Sequence, residues 1–135
     1  MKQNIILILF SLLLIGGCAV KQPISIREAD REEESDSVEY ELIVFDTGFE
    51  SWFLTRSKPS NYYEQSWYEH WNRLYVQAWN NHNLGSRHEQ LIDGIINYEP
   101  DIDYGLEINH KLFYYFMYVE HELGIRIIPD GPRSW

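Results

Sequence analysis

Cysteine is almost absent from this 135-residue chain, which holds one, Cys18. A single thiol cannot build an internal disulfide framework or a cysteine-based zinc cluster. Basic residues are scarce too: 11 Lys and Arg stand against 21 Asp and Glu, for a net charge of −10. Binding held mainly by phosphate contacts needs a basic patch, so the balance argues against nucleic acid as a partner. The sequence also lacks a phosphate loop, a Gly-x-Ser-x-Gly elbow and any His-x-x-x-His or His-Glu-x-x-His pair. Neither a hydrolase nucleophile nor a zinc ligand set is therefore visible, and no catalytic residue, metal or cofactor is assigned from motifs. What is present, 44% hydrophobic and 24% charged residues, is the composition of a globular chain. The length suits one domain.

The long apolar run is confined to the beginning. Lys2 supplies a positive charge, and Ile5 to Ile15 is an apolar stretch of the length of a signal-peptide h-region. A transmembrane helix needs about 20 apolar residues, whereas this run meets Gly16-Gly17-Cys18 and turns polar. Ile15-Gly16-Gly17-Cys18 resembles a bacterial lipobox: an aliphatic residue, two small ones, then the cysteine that is diacylated, with palmitate among the expected chains. The duller reading, a buried thiol ending a core helix, leaves that helix without a following partner before an acidic stretch. Residues 1–17 are thus expected to be a signal peptide and Cys18 the lipidation site. Acylation anchors a chain firmly, because each buried CH2 contributes about 0.8 kcal/mol. Ala19, rather than Asp, follows the cysteine, as in lipoproteins of the outer membrane, and Ala19 to Pro23 lacks the acids that mark surface export. The expected location is the outer membrane, lipid-anchored, with the domain facing the periplasm.

Residues 18–37 read as a flexible acidic tether, with six acids between Glu28 and Asp36 and no aromatic. Charge repulsion extends such a linker; binding a cation or a basic partner is the alternative use of its acids. Residues 38–130 are expected to form one α+β domain, a small sheet of three to four strands packed against two long aromatic-rich helices, with 131–135 as a tail. Val38 to Asp46 alternates like a strand and Asp46-Thr47-Gly48 reads as its turn. Glu50 to Thr55 reads as a short strand or a helical turn. Ser60, or Pro59 near the start, opens a helix from about Asn61 to His82. Trp67, Trp71, Leu74, Tyr75 and Ala78 give it one buried face, widened by Tyr63 and Trp79. Gly85 is placed as its C-terminal cap. Ile92 to Tyr98 reads as a strand with a bulge at Gly94, and Asp103 as the cap of a second helix, Gly105 to Leu123, with Ile108, Leu112, Tyr115, Phe116, Val119 and Leu123 inward. Gly124 ends it, and Ile125 to Pro129 reads as a last strand.

Several motifs invite sharper chemistry. Phe45-Asp46-Thr47-Gly48 looks like the triplet of aspartic proteases, in which two carboxylates share a proton. The second carboxylate would need a dimer, the following long helix does not suit an all-β fold, and an Asp-Thr-Gly turn after a strand is ordinary. Glu107-Ile108-Asn109-His110 has the Glu-x-x-His spacing of di-iron bundles but no second copy, so a surface or half-buried pair is favoured. Asp101-x-Asp103-x-Gly105 hints at a calcium loop, yet Gly105 falls one position early and Leu112 stands where a bidentate Glu belongs; loose calcium binding by Glu99, Asp101, Asp103 and Glu107 is the remnant of that idea. His70, on a helix of aromatics, is read as packed or capping.

Aromatics are the excess, 16% of the chain with 10 Tyr and 5 Trp. Tyr62, Tyr63, Trp67, Tyr68, Trp71, Tyr75 and Trp79 on the first long helix, and Tyr114, Tyr115 and Tyr118 on the second, exceed what one face of each can bury. Rings that reach the edge of a core combine apolar area with a polar handle, which suits sugar stacking or a protein interface. A core built of large rings is the plainer account.

Phe49-Glu50-Ser51-Trp52-Phe53-Leu54, Lys58-Pro59-Ser60, Trp71-Asn72-x-x-Tyr75-Val76-x-x-Trp79-Asn80 and Asp103-Tyr104-Gly105-Leu106-Glu107-Ile108-Asn109 resemble, over residues 38–129, a family of small uncharacterised Gram-negative bacterial lipoproteins with a domain of unknown function. The resemblance implies lipidation and carries no reaction. The favoured expectation is a membrane-anchored envelope lipoprotein, a non-catalytic interaction or structural module of the periplasm whose partners are the membrane through acylated Cys18 and an envelope protein or glycan. The alternative is a small-ligand or glycan binder, or a hydrolase, using a polar cluster around Asp46, Glu50, Asp103 and Glu107. Candidate binding residues are Trp52, Trp71, Asn72, Tyr75, Trp79, Asn80, Asp103, Tyr104, Glu107 and Asn109. Convergence of these polar groups in one pocket would favour the alternative, and scattering to helix ends the first reading.

Overall fold

The computed structural model describes residues 24–29, 39–81 and 94–132. The signal peptide, Cys18, Gly85 and most of the acidic stretch lie outside the described residues. Among the described residues the architecture is α+β, with a two-stranded antiparallel sheet and three helices. This corrects the expected three to four strands, and it adds a third, shorter helix to the two long ones.

Strand β1, Ile24–Glu28, comes from the stretch the sequence assigns to the tether, and pairs with β2, Tyr40–Val44. The register sets Ile24 opposite Val44 and Glu28 opposite Tyr40. Its Ile-Ser-Ile alternation turns Ile24 into the core at 1% exposure, while Arg27 reaches across to Glu41 on the solvent side.

Helix α1, Thr47–Arg56, occupies the segment read as a turn followed by a short strand or a helical turn, and the helical alternative is the one that forms. Asp46 is its N-cap, accepting the Gly48 N–H at 2.8 Å. A capping carboxylate and the spacing of Phe49, Trp52 and Phe53 suit one helical face. Phe49 and Trp52 are buried there. Pro59 then fixes a 3-10 turn at Ser60–Tyr62, and the extended backbone of Tyr63 delays helix α2 to Gln65–Asn81. Its buried residues are Tyr68, Asn72, Tyr75, Val76 and Trp79. That is the expected rhythm moved one residue along: Trp67, Trp71 and Ala78 lie half-buried on the flank, and Leu74 is exposed. A polar residue, Asn72, takes the central inward position because its amide finds partners there.

Helix α3, Gly105–His121, is the axis of the molecule, packed against α2, α1 and β2. Every residue from Leu112 to Val119 is buried, so this helix is apolar nearly all round, as a core helix must be. Gly124, at a positive φ of 69°, reverses the chain where Ile125 N–H meets the Val119 carbonyl at 3.1 Å.

The expected strands at 92–98 and 125–129 are absent among the described residues. Residues 94–99 run without a ladder, because the Asn80 side chain takes the place of a partner strand, bonding both the N–H and the carbonyl of Ile96 at 2.9 Å. Ile125 and Ile127 alternate inward like strand residues, yet their segment is fastened by a side chain. Glu120 accepts the N–H groups of Ile127 and Ile128 at 2.9 and 3.1 Å and the Tyr75 hydroxyl at 3.1 Å.

Candidate functional site

The polar residues singled out in the sequence fall in two places: Asp46 and Glu50 at the start of α1, and Asp103, Tyr104 and Glu107 together at the start of α3. Asp46 caps α1 and accepts the Tyr118 hydroxyl at 3.2 Å. Glu50 pairs with Lys111 at 2.7 Å. Asp103 receives the Gly105 N–H at 3.0 Å and the Gln65 amide at 2.7 Å, and Gln65 also donates to Glu69. Glu107 receives the Ser60 hydroxyl at 2.6 Å. Tyr118 and Glu107 stand eleven residues apart on α3, about 16 Å along its axis, so Asp46 and Glu107 serve opposite ends of the core.

The amides form an internal network. Asn72 donates to the Asn109 carbonyl at 2.9 Å and to Asn109 Oδ1 at 3.1 Å. Tyr98 donates to the same oxygen at 2.9 Å, while Asn109 Nδ2 reaches back to the Gly105 carbonyl at 2.9 Å. Both asparagines are fully buried, and a buried amide without partners would cost the fold heavily. Trp79 donates to the Gly94 carbonyl at 3.0 Å. Trp52 and Tyr75 pack on α3 through the Tyr118 and Phe116 rings. Tyr104 gives its hydroxyl to the Glu99 N–H as acceptor at 3.0 Å. Trp71, half-buried, lies against exposed His70. Of the ten candidate binding residues, most are thus committed to joining elements.

His110 and Glu107 of the Glu-x-x-His pair also part company. His110 is buried among Phe53, Tyr68 and Tyr114, with Nε2 2.8 Å from the Lys58 carbonyl, while the Tyr114 hydroxyl accepts the Lys58 N–H at 3.0 Å. Burial lowers the His110 pKa from its ordinary value, opposed in part by the Lys58 carbonyl. Burial also raises the phenols, to about 12 at Tyr68, Tyr98 and Tyr118, and the Asp46 charge adds to the rise at Tyr118. Tyr115 is pushed up as well, chiefly by burial. Among the described residues no group of three or more His, Cys, Asp or Glu is placed to hold a metal ion, and no helix is long and apolar enough to cross a membrane.

Two shallow grooves stand out. One, of about 550 Å³, opens where Glu39 and Tyr40 face the start of α3, lined by Asp103, Tyr104 and Glu107 among others. The other, of about 480 Å³, is bounded by Tyr62, Tyr63, Glu64, Ser66 and Trp67. Here the Tyr62 and Tyr63 rings meet edge to face at 4.8 Å, and Tyr63 stacks on Trp67 at 3.8 Å. The rings of this second groove were conspicuous in the sequence, but Glu64 and Ser66 were not. The available signal was the alternation of rings with polar residues in Tyr62-Tyr63-Glu64-Gln65-Ser66-Trp67, immediately before the helix.

A family model described as a family of unknown function (DUF6146) matches residues 5–129. No curated protein and no solved structure matches the chain.

Proposed function

The chain belongs to this family of unknown function, and on that premise we propose that it is a lipid-anchored envelope lipoprotein of the outer membrane, its domain facing the periplasm as a non-catalytic binding or structural module. The anchor rests on the sequence, where charge, apolar run and Ile15-Gly16-Gly17-Cys18 occur in order. The non-catalytic reading rests on one observation: Asp46, Glu50, Asp103 and Glu107, and the buried amides Asn72 and Asn109, are each bonded to a structural partner. A general acid or base must reach the reacting group, and Asp46 and Glu50 at the start of α1, like Asp103 and Glu107 at the start of α3, are instead engaged by structural partners.

The test is the intact mass of the protein recovered from a membrane fraction, beside a Cys18→Ala variant. The mass of an acylated 18–135 chain is expected, with both acylation and membrane retention lost in the variant. An unprocessed or unacylated chain would sink the anchor and return Cys18 to the reactive groups.

A further inference from the structure

The groove at the start of α2 brings exposed and half-buried rings together with polar residues. Tyr62 is 54% exposed, the most open ring of its helix end. Its neighbours are held rigidly from behind: Trp67 lies edge to face on Tyr68, Trp71 and Phe113, with centroids at 5.4, 6.2 and 5.0 Å. Tyr63 is locked between Tyr62 and Trp67. The corner is therefore preformed, and a ligand entering it orders little that is not already ordered. The groove is lined, besides the rings, by Ser66 and by Glu64, whose carboxylate has no ion pair among the described residues. Rings and polar groups alternate within one small concavity whose volume falls in the range of small-ligand sites.

This alternation discriminates among ligands. An apolar protein interface would deplete its centre of charge, and here an acidic residue, Glu64, is part of the lining. A cation would find one face of Tyr62 already covered by the Lys58 ammonium, 4.1 Å from the ring centroid, which lowers the attraction of that ring for a second positive charge. A polyanion is opposed by the net charge of −10. A pyranose meets the requirements: its C–H face packs on an aromatic ring, and its hydroxyls donate to a carboxylate and exchange hydrogen bonds with tyrosine and serine oxygens. The aromatic edge continues from Tyr63, which precedes α2, to Trp67 and then, one turn further along the helix, to half-buried Trp71, so the site has a direction along the helix.

We propose that Tyr62, Tyr63, Glu64, Ser66 and Trp67 form a binding groove for a neutral oligosaccharide, with the Tyr62 ring as the stacking platform and Glu64 as the acceptor of sugar hydroxyls. The proposal names a ligand for the binding module described above and rests on that reading, but not on the anchor. The test uses the full-length protein in detergent, titrated calorimetrically with chitotetraose and with cellotetraose, against Tyr62→Ala, Tyr62→Phe, Glu64→Gln and a distant exposed control, Leu54→Ala. Circular dichroism confirms that each variant is folded. One tetrasaccharide is expected to bind, with Tyr62→Ala weakening it by about fivefold or more, Tyr62→Phe retaining most of the affinity, Glu64→Gln weakening it, and Leu54→Ala matching the wild type. Failure of both sugars to bind, or binding untouched by Tyr62→Ala, overturns the groove and leaves the anchored module standing. Tyr62-dependent binding of tetralysine in place of the sugars overturns it in favour of a basic peptide. Release of shorter sugars after Tyr62-dependent binding supports the groove and overturns the non-catalytic reading, so the two fail separately.

Discussion

Glu120 is one side chain with three bonds, and its position explains why a chain end without a strand keeps its shape. The carboxylate accepts two consecutive backbone N–H groups from the C-terminal segment and the hydroxyl of Tyr75 on α2. Ionised acceptors make the stronger hydrogen bonds, and the amides of Ile127 and Ile128 have no ladder to replace them. Glu120→Ala is expected to lower the unfolding free energy by about 2–3 kcal/mol in a urea titration, with Glu120→Gln losing less because a neutral acceptor keeps the geometry. Equal loss in the two variants would show that charge, not the bonding pattern, carries the effect.

The pairing of α2 with α3 depends on two buried amides. Asn72 and Asn109 meet where two apolar helices would otherwise slide, and Tyr98 brings the 94–99 segment to the same oxygen. Asn109→Ala is expected to cost about 2–4 kcal/mol, since it strands the Tyr98 hydroxyl and a buried Asn72 donor. The Asn72→Ala, Asn109→Ala double variant should lose clearly less than the sum of the two in denaturant melts, because the second truncation finds its partner already gone. This element also shows where sequence reading succeeds. Both long helices are legible from the 3.6-residue spacing of large rings, but the inward face of α2 was displaced by one residue because hydrophobicity alone sends Asn72 outward. Helix α1 escaped because Asp46-Thr47-Gly48 serves equally as a turn or as a cap, and only the Tyr118 hydroxyl behind Asp46 decides between them. The segments around Ile96 and Ile125 carry strand-like residues, and what they lack, a partner strand, is not written locally; Asn80 and Glu120 supply the bonds from far along the chain. Strand β1 was hidden by the acids that follow it. Of the candidate site, the aromatic corner is half visible as an excess of rings, while the polar cluster splits between the start of α1 and the groove at the start of α3, because its members have structural partners that spacing does not reveal.

For the whole molecule, the many buried phenols set an upper limit in pH. Tyr68, Tyr98 and Tyr118 hold their protons to about 12 in the fold, against about 10 in an unfolded chain. The unfolded state therefore loses protons first, and stability present below pH 10 is lost as the pH rises from there towards 12. His110 acts at the other end: its folded pKa is depressed by burial, so the unfolded state binds the proton first and stability falls as the pH drops below about 6.5. A melting-temperature profile should show a plateau between these limits. In an alkaline titration, phenolate absorbance should rise together with the loss of helical ellipticity. Exposed phenols such as Tyr62 ionise ahead of that transition, and ionisation of all ten tyrosines at constant ellipticity would contradict the burial assigned to these rings.

The pairing of β1 with β2 has a mechanical side. Ile24 stands opposite Val44, so the point at which the chain enters the sheet and the point at which it leaves for α1 lie at the same end of the ladder. A pull applied upstream of Ile24 opens the pairs in turn, like a zipper, where a pull from opposite ends would have to shear them all at once. The first pair to yield is the one whose side chain is buried, at 1% exposure, whereas Arg27 and Glu28 at the far end are exposed. Ile24 is thus the catch: once it leaves the core the remaining strand peels easily, and the chain gains length under tension while the three helices stay packed.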